Sequence, residues 1–215
     1  MSSFFCQAIL FDLDGVLVDS TPCVTRIWRE WAQQHGLDAD YVVHIAHGQR
    51  TIETVRKVAP RLDAEREAAH IEQQETNDTG DLRVLPGALE LLALLPPTRY
   101  TVVTSGTRPL ATRRLQVAGL PVPSAMITAD DVTRGKPDAE PYLAGARALG
   151  VEPDQCLVFE DAPSGIRSAK AAGMVAIGVP TTYLAEELAG ADAIVPSLQA
   201  VTVTVSPQGL IVALG

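Results

Sequence analysis

Residues 8–20 read AILFDLDGVLVDS: an apolar run, two aspartates flanking one leucine, a glycine, and a second apolar run. The first four residues have the continuous apolar character of a parallel strand covered on both faces. In extended chain, residues two apart project to the same side. Asp12 and Asp14 therefore share one space while Leu13 turns toward the core. Two carboxylates ~4 Å apart at an effective dielectric of ~20 repel by roughly 4 kcal/mol. A strand end that keeps such a pair implies a cation or a reaction at that point. Gly15 lets the chain turn away directly after it.

Further apolar runs of the same kind follow at YTVVT (100–104), AMIT (125–128), CLVF (156–159) and VAIGV (175–179). Helix-like segments separate them. Pro86-Gly87 open ALELLALL, which stops at Pro96-Pro97, and PLATRRLQVAG ends on Gly119, a left-handed cap. Asp138 can cap AEPYLAGARALG, and Pro163-Ser164 start GIRSAKAAG. Alternation of this kind predicts an α/β fold, a Rossmann-like doubly wound parallel sheet. The interval from Phe11 to Tyr100 is too long for one crossover. It reads as helices: CVTRIWREWAQQHG, TIETVRKVAP and DAEREAAHIEQQETND. The chain thus divides into a core, residues 1–16 and 83–215, and an inserted helical domain over 17–82. The tail VTVTVSPQGLIVAL alternates with period two about a Pro-Gln-Gly turn and predicts a C-terminal β-hairpin.

The 215 residues suffice for one core and a small accessory domain. Seventeen basic against 26 acidic residues give a net charge of −9, which argues against nucleic acid or an anionic membrane as partner. A small anionic substrate is compatible, provided a metal and local cations reverse the sign at the site. Cys6, Cys23 and Cys156 stand at unrelated spacings, with neither a disulfide nor a zinc pattern, and are expected as buried thiols. The N-terminus meets an acid at Asp12 without a basic start, and no apolar run reaches the ~18 residues of a membrane span. The expectation is a soluble, cytoplasmic protein, with monomer the default.

Three other strand ends carry polar groups that complement the first. VVTSGT closes the second run with Thr104, Ser105 and Gly106, whose hydroxyls and N–H groups can hold phosphate oxygens near a helix N-terminus. RGKPDAEPY places Lys136 in the loop after the third run, and VFEDAPSG ends the fourth with Glu160 and Asp161. Two carboxylate clusters, a lysine and a hydroxyl at one edge of a sheet suit Mg²⁺ and phosphate, since magnesium takes oxygen ligands and substrate oxygens. Asp130, Asp131 and Asp138 read as caps.

The run DxDGV, TSG, GKP and ED, in this order, resembles the haloacid dehalogenase superfamily of phosphohydrolases, and the insertion after the first motif resembles its subgroup with a helical cap. HGLDADYVVHIAHGQRT, TSGTRPLA and GLPVPSAMITADDVTRGKPDAEPYLAGARALG look like that subgroup's phosphatases of hexose, hexitol, 2-deoxyglucose and glycerol phosphates. The resemblance implies that Asp12 is the nucleophile, forming an aspartyl-phosphate, and that Asp14 is the general acid and base. It implies Mg²⁺ held by the Asp12 carboxylate, the Asp14 backbone carbonyl and Asp161, with Glu160 close by. Thr104, the Ser105 amide and Lys136 would neutralise the transferring oxygens.

In the inserted domain, HIAHGQRT is short and polar between helices. His47 and Arg50 are expected to reach substrate and Gly48 to permit close approach, against a plain helix-start loop. Trp28 and Trp31 are either core packing or a sugar-stacking face. Two alternatives accompany the phosphatase reading. A sugar phosphomutase is favoured by Val16, which many family mutases share. It is disfavoured by Val24, where the mutases resembling this chain carry histidine. A phosphate-binding regulatory protein on the same scaffold is the non-enzyme alternative. Asp14 argues against a dehalogenase, which lacks that second acid.

Overall fold

The computed structural model describes residues 2–215. The chain opens with β1 (Ser2–Cys6) and β2 (Ala8–Phe11). Then come β3 (Val18–Asp19), α1 (Thr21–Gln34), α2 (Ala39–Ala46), α3 (Thr51–Val58), α4 (Ala64–Asn77) and β4 (Arg83–Val84). The remainder runs α5 (Ala88–Leu94), β5 (Tyr100–Val102), α6 (Arg108–Val117), α7 (Glu140–Leu149), β6 (Cys156–Glu160) and α8 (Pro163–Ala171). It ends with β7 (Val175–Gly178), β8 (Ala193–Ile194), β9 (Val201–Ser206) and β10 (Gly209–Leu214).

The central sheet has the order β5-β2-β6-β7-β8, all pairs parallel. Its strands are apolar on both faces because both faces are covered. Ile9 and Phe11 enter the cluster beneath α5 and α6, whereas Ala8 and Leu10 pack with Tyr142, Ala146, Ile166 and Ala169 of α7 and α8. The α/β expectation holds. AMIT differs: it supplies only one bridge, Ile127 to Val103, rather than a strand. Pro121 and Pro123 precede it, and the Thr128 and Asp131 side chains close a capped 3-10 turn just after it. Too few residues remain free to extend a ladder.

The terminal hairpin forms as expected, and β1 adds to it, Ser2 opposite Leu214 through Cys6 opposite Leu210. The helices α1–α4 enclose a separate cluster built on Val24, Ile27, Trp28, Trp31, Val42, Val55 and Ile71. In α1 these residues follow the helical spacing of one apolar face. Helix α2 was not marked by the sequence pattern. Asp38 caps it, accepting from the Asp40 and Tyr41 N–H groups at 3.1 Å each. The chain passes between the two clusters at β3 and β4, which pair antiparallel.

Candidate active site

The carboxyl ends of β2, β5 and β6 meet at one edge of the sheet, as parallel register requires: Phe11 stands beside Val102 on one side and Phe159 on the other. Asp12 is the residue after β2, and its N–H donates to the Phe159 carbonyl at 3.0 Å. The Lys136 ammonium reaches this edge from the loop before α7. It donates to Asp12 Oδ1 at 2.5 Å, Glu160 Oε1 at 2.7 Å and the Val103 carbonyl at 3.0 Å. Three N–H bonds find three acceptors, so the lysine is fixed in direction. It is 2 % exposed.

Glu160 holds the lysine rather than facing outward. Its Oε1 also accepts from the Tyr142 hydroxyl at 2.9 Å, and its Oε2 accepts the Asp161 and Ala162 N–H groups at 3.0 Å each. Asp161 lies next to Gly15, whose φ of 82° and close approach to that carboxylate leave no room for a Cβ. Asp12, Glu160 and Asp161 thus form a buried group in which one carboxylate oxygen from each lies within 4.8 Å of the others.

One ammonium does not neutralise three buried acids. Burial pushes the Asp12 carboxyl up to about 7; Lys136 pulls it back, while Glu160 and Asp14 add to the rise. Burial likewise holds Asp161 well above the ordinary carboxylate range, with Glu160 and Asp12 adding to it. Burial works against the Lys136 ammonium, but Asp12 and Glu160 outweigh it and push it up. An excess of hard oxygen donors around a buried deficit of positive charge fits a magnesium ion. Asp12 and Asp161 suit it best, because both Glu160 oxygens are already engaged by four donors.

Thr104 is buried after β5, and its Oγ1 accepts the Gly106 N–H at 3.1 Å, which shapes the turn into α6. The Ser105 hydroxyl is turned away from that turn. It donates to the Gly48 carbonyl, between α2 and α3, at 3.2 Å, as does Ser164. Gly48, at φ 75°, lies so close to Ala162 that any Cβ would overlap it and crowd the Ser164 hydroxyl. Its close approach is therefore to the core. His47 lines the cavity, and burial lowers its imidazole below the usual range. Arg50 points elsewhere, donating to the Thr133 carbonyl at 3.0 Å and to Glu53 at 3.5 Å.

Several lining residues were not marked by the sequence: Ser20, Gln49, Thr51, Glu75 and Arg114. Arg114 of α6 donates to Asp14 Oδ2 and to Glu75 Oε2, each at 2.7 Å. Trp31 is packed within the helical cluster, its indole N–H on Glu67; Trp28 is also buried there but reaches the cavity wall. Asp130 and Asp131 serve as caps, accepting the Arg108 and Thr128 N–H groups, and Asp138 accepts from Glu140 N. The space between the helical region and the core has a volume of about 60 Å³. All three cysteines are buried and free. Among the described residues, no helix is long and apolar enough to cross a membrane.

A profile of haloacid dehalogenase-like hydrolases matches residues 6–173. The chain is 41% identical to hexitol phosphatase A of Escherichia coli strain K12 over 95% of its own length and 97% of that protein. It is 37% identical to glycerol-1-phosphate phosphohydrolase 1 of Saccharomyces cerevisiae, over 92% of this chain and 84% of that one. The crystal structure of a hydrolase from Pseudomonas syringae superposes with a TM-score of 0.82 at 29% identity, covering 90% of this chain and 94% of that one.

Proposed function

The chain belongs to the haloacid dehalogenase-like hydrolases, and from that premise we propose that it is a magnesium-dependent phosphatase of small sugar or sugar-alcohol phosphate monoesters. The observation that carries this reading is the Asp12 carboxylate, fixed by Lys136 at the sheet edge that also holds Asp161, Thr104 and Asp14. The substrate class is supported by the relatives, named for hexitol and glycerol phosphates.

In this reading Lys136 holds Asp12 Oδ1, and the carboxylate attacks phosphorus. The bond from Asp12 to phosphorus forms while the bond from phosphorus to the alcohol oxygen breaks. The electron pair stays on that oxygen, and Asp14 gives it a proton. Water then attacks the aspartyl-phosphate, returning a proton to Asp14 and freeing phosphate and Asp12. Thr104, the Ser105 amide and Lys136 face the charge of the transferring group. Magnesium, held by Asp12, the Asp14 carbonyl and Asp161, would screen the incoming anion from the acids.

Residues 17–82 act as a cap over this chemistry. A cavity of about 60 Å³ is well below the ~300 Å³ of ordinary ligand pockets, so the cap moves aside for substrate. Val24 places an apolar wall there, with no group to move a second proton, which favours hydrolysis over a mutase. The three buried thiols fit a reducing cytoplasm, and neither nucleic acid nor membrane is a partner of this acidic monomer.

The test is phosphate release with Mg²⁺ from a panel of phosphorylated metabolites, ranked by kcat/KM. Hexitol, hexose and glycerol phosphates should lead. Inertness toward every ester, or an isomerised sugar phosphate in place of free phosphate, would overturn the assignment.

A further inference from the structure

Both oxygens of the Asp14 carboxylate are occupied. Ser20 Oγ donates to Oδ1 at 2.6 Å and Arg114 Nη1 to Oδ2 at 2.7 Å. The second terminal nitrogen of Arg114 donates to Glu75 Oε2 at 2.7 Å, and the other Glu75 oxygen accepts the Trp28 indole N–H at 3.2 Å. Arg114 stands on α6 of the core, Glu75 in the last turns of α4 and Trp28 on α1. Arg114 and Glu75 are 3 % and 5 % exposed.

Burying a guanidinium and a carboxylate together is a poor way to glue two surfaces. Desolvation takes several kcal/mol per ion, and apolar side chains of the same volume often hold equally well. What a guanidinium adds is a rigid planar fork, able to hold one carboxylate at a fixed angle to another. We propose that Arg114 is a positioning residue for Asp14: oriented by Glu75 and, through it, Trp28, it aims the Asp14 carboxyl at the ester oxygen that leaves. The inference rests on the phosphatase reading above, in which Asp14 protonates that oxygen.

Dependence on the leaving group tests it. The ratio kcat/KM includes only the steps through departure of the alcohol. An alkoxide leaves poorly without a proton, whereas 4-nitrophenolate leaves as a stable anion. In Glu75→Gln and Arg114→Lys, kcat/KM for glycerol or hexitol phosphate divided by that for 4-nitrophenyl phosphate should fall about 10- to 100-fold, part of the ~10²–10⁴ that general acids supply. Circular dichroism checks that each variant is folded. Should the lysine variant not fold, Glu75→Gln, which keeps the side chain's size, reads the same ratio. Equal losses on both esters, or a change in KM alone, would mean that the network merely holds the cap, and the inference would fall. Wild-type protein inert toward all esters would instead bring down the phosphatase reading itself.

Discussion

Two buried cations divide the aspartate pair between them. Lys136 ties Asp12 to Glu160, and Arg114 ties Asp14 to Glu75. The Lys136 bridge closes within the sheet edge: its acids follow or end two neighbouring strands, and its loop leads into α7. The Arg114 bridge crosses from α6, which packs on the central sheet, to α4 of the α1–α4 group. One acid is thus held by groups at the sheet edge itself, while the other is held through a contact between two helices, α6 and α4. In the proposed mechanism the attacking group, Asp12, would need a fixed direction, whereas the proton donor, Asp14, would need only to be in place once α1–α4 close on the sheet edge.

The sharpest way to break this contrast is at the lysine bridge. Asp12→Asn should abolish turnover, by ~10³-fold or more in kcat, while leaving the fold intact. Lys136→Met should do the same and also lower stability by about 3–5 kcal/mol, because it strands buried carboxylates. Urea unfolding followed by circular dichroism separates the two outcomes. Retention of a few per cent of activity by Asp12→Asn would remove that residue from the attack.

Next comes the metal. EDTA should extinguish activity reversibly, and Mg²⁺ at about 100 times its Kd should stabilise the protein by ~2.7 kcal/mol in a thermal melt. The Asp161→Asn variant should lose most of that stabilisation, whereas Glu75→Gln should keep it, since Glu75 belongs to the other bridge. An equal loss in both would erase the distinction.

A smaller effect is expected at Gly165, where an added Cβ would overlap the Glu160 carboxylate. Gly165→Ala should cost about 1–3 kcal/mol of stability by overpacking and lower kcat through a displaced Lys136. Smallest is Arg50→Ala. Its bond to the Thr133 carbonyl ties the start of α3 to the loop before α7, outside the cavity, so it should change KM by no more than about threefold, within the ~1 kcal/mol of a partly exposed polar contact. A reordered substrate ranking would bring Arg50 back to the substrate.

The sequence made most of the lysine bridge legible because Asp12, Glu160 and Asp161 sit at the ends of apolar strand runs, where polar residues stand out. Lys136 lies instead in the loop before α7, where it stood out as the lone charge between Gly135 and Pro137. The arginine bridge is built from helices, where charges are common. Arg114 is one of three arginines in RPLATRRLQV, and Glu75 one of four glutamates in α4. A signal was nevertheless present. The buried stripe of α4 runs Ala64, Ala68, Ile71, Glu75, and that of α6 includes Leu110, Ala111, Arg114 and Leu115. A charge at helical spacing on an apolar stripe has to meet a partner. What the pattern did not carry was which partner, since the pairing spans 39 positions and depends on how α4 lies over α6. AMIT failed as a strand for a different reason, its flanking prolines and capped turn outweighing its apolar character.

The short ladder of Val18 and Asp19 with Arg83 and Val84 has one more consequence. An insert whose entry and exit strands pair has its two ends only ~5 Å apart. Seen from the sheet, sixty-odd residues therefore amount to a single loop of negligible span. Such a module should be exchangeable: another helical bundle with adjacent ends could be grafted between those strands without disturbing the scaffold beneath, while Asp12, Lys136, Glu160 and Asp161 stay where they are.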